Sequence, residues 1–78
     1  MDFYKGMIKL NLNLFEFETG FTLEQDKDFY DEEYGSNRYK ITDDKSLIEI
    51  GTILNRFNDK YGRKIVPEVI GNSVYIYL

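Results

Sequence analysis

The chain has 78 residues, a net charge of −4 at pH 7, and neither cysteine nor histidine. A chain of this length supports one domain with a modest hydrophobic core. The lack of cysteine excludes a disulfide scaffold, and the lack of histidine removes the commonest general base and metal ligand. With 42% hydrophobic and 31% charged residues, the composition is typical of a globular protein.

The N-terminal residues 1–6 lack the charged start and the apolar core of a signal peptide. No apolar run in the sequence approaches the ~18 residues that a membrane-spanning helix needs. We therefore expect a cytoplasmic protein that does not interact with a membrane.

The first predicted element is a β-strand over residues 7–17. Aliphatic side chains alternate there with polar ones, and the aliphatic positions are Ile8, Leu10, Leu12 and Leu14. A period of two predicts a half-buried strand. The alternation changes phase at Phe15, which indicates either a β-bulge or a second face on which Phe15 and Phe17 are covered.

The next segment reads as short strands separated by turns. Thr19 and Gly20 predict a tight turn, since glycine tolerates positive φ, and residues 21–24 predict a short return strand. The acidic residues 25–37 are expected to form a loop or the tip of a long hairpin. Residues 38–42 are the third candidate strand.

Residues 43–61 carry the strongest helical pattern of the chain. Apolar residues recur at spacings of three and four, at Leu47, Ile50, Leu54, Phe57 and Tyr61. Thr42, Asp43 or Asp44 is expected to cap the N-terminus, and Gly62 is expected to end the helix at its C-terminus.

The C-terminal residues predict a β-hairpin with arms at 64–70 and 73–78. Gly71 and Asn72 lie between the arms and form a two-residue turn signal. Pro67 cannot donate a main-chain hydrogen bond, so its strand is expected at a sheet edge or at a bulge. Alternation in the last strand places Tyr75 and Tyr77 on one face and the aliphatic residues on the other.

These elements predict a single α+β domain over residues 1–78. Its order is two or three strands, one amphipathic helix at about 43–61, and a hairpin. The helix is expected to cover one face of a mostly antiparallel sheet of four or five strands. The other face then carries Tyr75 and Tyr77, with Phe15 or Phe17 beside them.

Charge is distributed unevenly along the chain. Residues 15–34 contain eight acidic residues and one basic residue, whereas the rest of the chain has a basic excess of three. Such a distribution attracts basic partners and repels nucleic acid. Tyrosine side chains among the acids add contact area at low entropic cost. The residues that we assign to a partner-binding site are Glu24, Asp26, Asp28, Phe29, Tyr30, Asp31, Glu32, Glu33 and Tyr34.

The acidic segment has an alternative interpretation, and two other groups of residues are weaker candidates for binding sites. The acidic segment is alternatively a solvated surface without a partner. The basic group near the helix C-terminus (Arg56, Lys60, Arg63 and Lys64) predicts phosphate contacts only weakly, because the chain is acidic overall. Tyr75 and Tyr77 can stack on bases, but packing, or self-association in a homodimer through these side chains, is the favoured interpretation. The terminal strand is also expected to be able to pair edge to edge with a second copy.

Metal binding and catalysis are both disfavoured by the sequence. An EF-hand that starts at Asp26 has Tyr30 at its fifth position and Asp31 at its sixth, where an acid and a glycine belong. The serines have no histidine to activate them, and a chain this short has little room for a deep pocket. We expect no enzyme activity, no cofactor and no metal.

The sequence therefore predicts a protein that binds another macromolecule. The leading hypothesis is an inhibitor whose acidic, tyrosine-bearing segment occupies the basic groove of a nucleic-acid-handling protein. In size, charge and composition the chain is like the acidic proteins with which phages and mobile elements block host enzymes, and like immunity proteins and antitoxins. A homodimeric assembly protein is the alternative, and direct binding to nucleic acid is the least favoured function.

Overall fold

A computed structural model describes residues 11–33 and 35–78 of the chain. The prediction for residues 7–10 lies outside this part. The described elements are two helices, α1 (Leu12–Thr19) and α2 (Leu47–Tyr61), and four strands, β1 (Leu23–Asp31), β2 (Ser36–Ile41), β3 (Glu68–Ile70) and β4 (Ser73–Tyr77). The strands form one antiparallel sheet in the order β1-β2-β4-β3. The α+β class is confirmed.

The prediction of a strand through residues 12–17 is wrong, because these residues form the helix α1. Asn11 caps its N-terminus by accepting a hydrogen bond from the Leu14 amide at 3.2 Å, and Gly20 ends it with φ +74°. Phe15 and Thr19 are one helical turn apart and both are buried. The apolar alternation is too short to distinguish a strand from a helix, and the cap and the terminal glycine decide between them.

The acidic segment is mainly a strand rather than a loop. β1 continues to Asp31, so residues 25–31 lie in the first arm of a hairpin, where a loop or the tip of a long hairpin was predicted. β1 pairs with β2 from Leu23 to Asp26, and the register shifts between Asp26 and Tyr30. Within this shift β1 has three more residues than β2, which makes it a bulge-type irregularity of the edge strand. The predicted third strand is confirmed as β2.

The helix α2 begins four residues later than predicted. Ser46 is its N-cap: Ser46 and Glu49 each accept a hydrogen bond from the other's main-chain amide, which forms a capping box. Asp43 is not the cap, because its carboxylate accepts a hydrogen bond from the Thr22 amide at 2.6 Å and ties the loop to the start of β1. Gly62 ends α2 with φ +64°, as predicted.

The C-terminal hairpin is confirmed, although only residues 68–70 of its first arm are in a strand. Gly71 has φ +62°, which the primed hairpin turns require. β3 is an edge strand and follows Pro67 directly. The missing amide of Pro67 therefore breaks no ladder bond inside the sheet.

The hydrophobic core lies between the two helices and one face of the sheet. Its buried residues are Phe15, Phe21, Ile41, Ile50, Leu54, Phe57 and Ile76. Phe15 meets Phe57 edge to face at 4.9 Å between ring centroids. The placement of Phe15 or Phe17 on the open side of the sheet is therefore wrong, since Phe15 is in the core and Phe17 is an exposed residue of α1.

Candidate functional site

The predicted binding residues lie on a β-hairpin, which we call the acidic hairpin and which comprises β1, β2 and the turn between them. Eight of the nine residues are described, on β1 or in the turn, and Tyr34 lies outside the described residues. The exposed carboxylates of the hairpin are those of Glu24, Asp28, Glu32 and Glu33. Within the described part of the chain, none of these four forms an ion pair.

Asp26 differs from the other acids because it is bound to Arg38 on β2. The two residues are cross-strand partners, and one Asp26 oxygen accepts hydrogen bonds from Arg38 Nε at 3.0 Å and Nη2 at 2.5 Å. These bonds lower the pKa of Asp26 and raise the pKa of Arg38. The pair remains ionised at neutral pH, and the charge of Asp26 is compensated within the hairpin.

The Arg38 guanidinium lies between two aromatic rings on the sheet face opposite the helices, which we call the open face. It is 4.5 Å from the Phe29 ring centroid and 4.9 Å from that of Tyr75. Both distances are within the range of cation–π attraction. Phe29 is therefore half-buried against Arg38, and Tyr30 is the more exposed aromatic residue of the two.

Tyr77 extends this cluster across the sheet. Its ring meets Phe29 at 5.5 Å, and its hydroxyl donates a hydrogen bond to the Glu68 carboxylate on β3. That bond raises the pKa of Tyr77. Asp26, Arg38, Tyr77 and Glu68 thus link all four strands on the open face, and we call these residues together with Phe29 and Tyr75 the Arg38 cluster.

Tyr75 and Tyr77 lie on the open face, as the alternation in β4 predicts. Both are half-buried in the Arg38 cluster. The last strand cannot pair edge to edge with a second copy, because β4 already pairs with β2 on one side and β3 on the other. The prediction that the last strand pairs edge to edge with a second copy is therefore wrong. Self-association through the two tyrosine side chains stays a prediction.

Local hydrogen bonds hold the end of the acidic hairpin. In the bulge, the Asp28 amide donates to Asp26 Oδ1 at 3.2 Å, and in the turn the Glu33 amide donates to Asp31 Oδ1 at 3.0 Å. The Gly35 amide donates to the Asp31 carbonyl at 2.7 Å. The carboxylates of Asp26 and Asp31 therefore shape the main chain, while those of Asp28, Glu32 and Glu33 project outward.

The basic group near the end of α2 is partly neutralised. Lys60 forms an ion pair with Glu18 of α1 at 2.8 Å, which raises the pKa of Lys60. Arg56 and Lys60 both line a groove of about 410 Å³ between α1 and α2. The Arg63 amide donates to the Asn58 carbonyl as part of the helix end. This arrangement fits helix termination and helix packing.

Other kinds of site are sparse in the described residues. No group of three acidic residues there is arranged to hold a metal ion. Neither described helix has the length and apolar character needed to cross a membrane. No protein family matches the chain, and comparison with curated proteins and with solved structures gave no match. The acidic hairpin is therefore the feature of the described residues that bears most directly on function.

The Arg38 cluster is the feature that sequence reasoning missed. Asp26 and Arg38 are twelve residues apart, and a loop assignment for residues 25–37 gives no reason to pair them. A hairpin register with strands starting at Leu23 and ending at Ile41 places them opposite each other. The sequence did contain one sign of this pairing: a single arginine follows a run of acids, with a glycine between them.

Proposed function

We propose that the protein is a small inhibitor that binds a basic protein partner through its acidic hairpin. The partner is a nucleic-acid-handling protein of the host cell, and the carboxylates of the hairpin occupy the groove through which the phosphate backbone runs. The proposal includes origin from a phage or mobile element, action in the host cytoplasm, and inhibition by binding rather than by catalysis.

The observation that carries the proposal is the group of exposed carboxylates on the hairpin that have no ion-pair partner among the described residues. Glu24, Asp28, Glu32 and Glu33 are exposed, and none forms an ion pair with the described residues. Asp28, Glu32 and Glu33 lie within six residues of one another at the end of the hairpin. Like charges that lie close together repel one another and cost folding free energy, and a protein tolerates this cost where the charges serve binding. A groove that binds phosphates through Lys and Arg side chains offers the complementary charge.

The hairpin is suited to hold these charges in a fixed arrangement. The Arg38 cluster braces β1 against β2 and β4 through an ion pair and two ring contacts. A preorganised surface loses less conformational entropy on binding than a flexible loop does. Tyr30, with 57% of its surface exposed, lies among the carboxylates and supplies a rigid contact side chain.

The acidic hairpin is better suited to side-chain docking than to strand addition. The bulge between Asp26 and Tyr30 interrupts the outer edge of β1, and bulges and edge charges are features that prevent pairing with another strand. We therefore expect the carboxylates and Tyr30, rather than the main chain of β1, to contact the partner.

The proposal is tested with purified nucleic-acid-handling enzymes of the host, assayed on a fluorescent oligonucleotide. We expect at least one enzyme to be inhibited in competition with the oligonucleotide, with inhibition that weakens steeply as salt rises. The variant D28N/E32Q/E33Q should lose at least about tenfold in affinity for that enzyme, because it removes three charges without changing side-chain size appreciably.

A matched control removes the same charge elsewhere. The variant E16Q/D44N/D59N changes three acids outside the hairpin and should retain nearly full inhibition. Equal loss in the two triple variants would mean that net charge alone matters, and unchanged affinity in D28N/E32Q/E33Q would overturn the proposed site. The tyrosine face does not favour the homodimeric assembly function over the inhibitor, because the Tyr75 and Tyr77 rings already pack within the Arg38 cluster.

A further inference from the structure

The sheet has two outer edges, formed by β1 and β3. In the described part of the chain, no strand pairs with the outer side of either one. The three residues of β3 are all exposed, and exposed aliphatic side chains are concentrated there: Val69 has 52% and Ile70 has 45% of its surface exposed, and Val66, just before the strand, has 70%. β3 therefore offers an aliphatic edge.

The register of the sheet shows which main-chain groups of β3 point outward. Asn37 and Leu78 exchange both amide–carbonyl hydrogen bonds, at 2.9 and 3.0 Å. Hydrogen-bonded pairs alternate along antiparallel strands, so Ile76 and Val74 also bond to β2, whereas Ser73 and Tyr75 bond to β3. Their partners on β3 are Ile70 and Glu68, which leaves the amide and carbonyl of Val69 pointing away from the sheet.

We propose that β3 pairs with β3 of a second copy of the chain, antiparallel about a two-fold axis at Val69. In this register the outward amide and carbonyl of each Val69 bond to those of the other copy. Glu68 of one copy then lies opposite Ile70 of the other, so no two carboxylates face each other. A register centred on Pro67 has no amide to donate, and one centred on Glu68 places like charges in contact.

The β1 edge does not offer the same interface. A two-fold pairing of β1 centred on residue 25, 26 or 27 places at least two of the acids Glu24, Asp26 and Asp28 of one copy opposite those of the other, at a strand spacing of about 4.8 Å. The bulge after Asp26 also limits the length of a continuous ladder. Charge therefore directs self-association to β3, and the product is a continuous eight-stranded sheet with an acidic hairpin at each end.

The dimer is independent of the proposed inhibitor function. It leaves both acidic hairpins free, and its salt response has the opposite sign. Two copies of net charge −4 repel each other, so added salt favours the dimer, whereas it weakens binding of the hairpin to a basic partner. The interface involves a three-residue strand and is small, so we expect a weak dimer that forms at high protein concentration.

Single cysteines test the register cleanly because the chain contains no cysteine. Across a hydrogen-bonded antiparallel pair the Cα atoms are about 5.5 Å apart, which is within the range that a disulfide spans. In the full-length V69C variant we expect rapid cross-linking to a dimer under mild oxidation. In I70C the two cysteines are offset by two positions, about 8 Å apart, and should cross-link several-fold more slowly.

Two further measurements complete the test. I48C, an exposed position on α2, reports the rate of random collision. Sedimentation equilibrium of the unmodified protein should show a mass that rises toward the dimer with concentration, and more readily at higher salt. Cross-linking of V69C no faster than that of I48C, a fastest rate at position 70, or a monomeric mass at millimolar concentration would each overturn the proposal.

Discussion

The ion pair between Asp26 and Arg38 links the stability of the acidic hairpin to pH. Arg38 lowers the pKa of Asp26 below 3.8, its ordinary value, through their hydrogen bonds. A carboxyl group whose pKa is lower in the folded state stabilises the fold above its unfolded-state pKa. This stabilisation is lost as the pH falls through the folded-state value.

The corresponding prediction compares the wild type with D26N across pH. At neutral pH we expect D26N to unfold at a lower urea concentration, because it lacks the charged partner of Arg38. Below pH 3.8 the difference should shrink as Asp26 becomes protonated in the wild type. A stability difference that stays constant from pH 7 to about 2 would show that the ionisation of Asp26 has no part in it.

The helical structure of α1 predicts different effects for substitutions of Phe15 and Phe17. Phe15 and Phe17 are two positions apart, so in a strand they share a face, whereas in a helix they point in nearly opposite directions. Phe15 is fully buried and Phe17 is 82% exposed. We expect F15A to lose about 3–5 kcal/mol of unfolding free energy and F17A to change it by less than about 0.5 kcal/mol.

A loss of 3–5 kcal/mol is comparable to the whole stability expected of a domain this size, so F15A is at risk of not folding. The milder pair F15L and F17L keeps the comparison measurable by urea denaturation. Similar losses in the two leucine variants would contradict the helix and restore the strand that the sequence pattern favoured.

How far the sequence predicts each element depends on how many independent signals agree. The helix α2 has five apolar residues at helical spacing and a glycine at its end, and the C-terminal hairpin has Gly71 at a position with positive φ. α1 has eight residues and little amphipathic pattern, and its apolar residues also satisfy a period of two. The acidic strand β1 has no β-branched residue, so its own sequence does not favour a strand, and it is held in the sheet by its pairing with β2.

At the scale of the whole molecule, folding and the proposed function make opposite demands on charge. The described carboxylates that stabilise local structure have partners: Asp26 bonds to Arg38, Asp43 to the Thr22 amide, and Glu49 to Ser46. Asp28 and Glu32 project from the hairpin without an ion pair among the described residues. Carboxylates that bind a partner rather than stabilise the fold should reduce the stability of the free protein.

The variant D28N/E32Q/E33Q should therefore be at least as stable as the wild type at low salt, since it relieves repulsion within the acidic hairpin. Raising NaCl from about 50 to about 500 mM should raise the urea midpoint of the wild type more than that of the variant, because salt screens the same repulsion. The control E16Q/D44N/D59N should keep a salt response close to that of the wild type. If D28N/E32Q/E33Q is clearly less stable than the wild type at low salt, these carboxylates support the fold itself. Their exposure would then no longer favour the proposed inhibitor, even if the protein binds a partner.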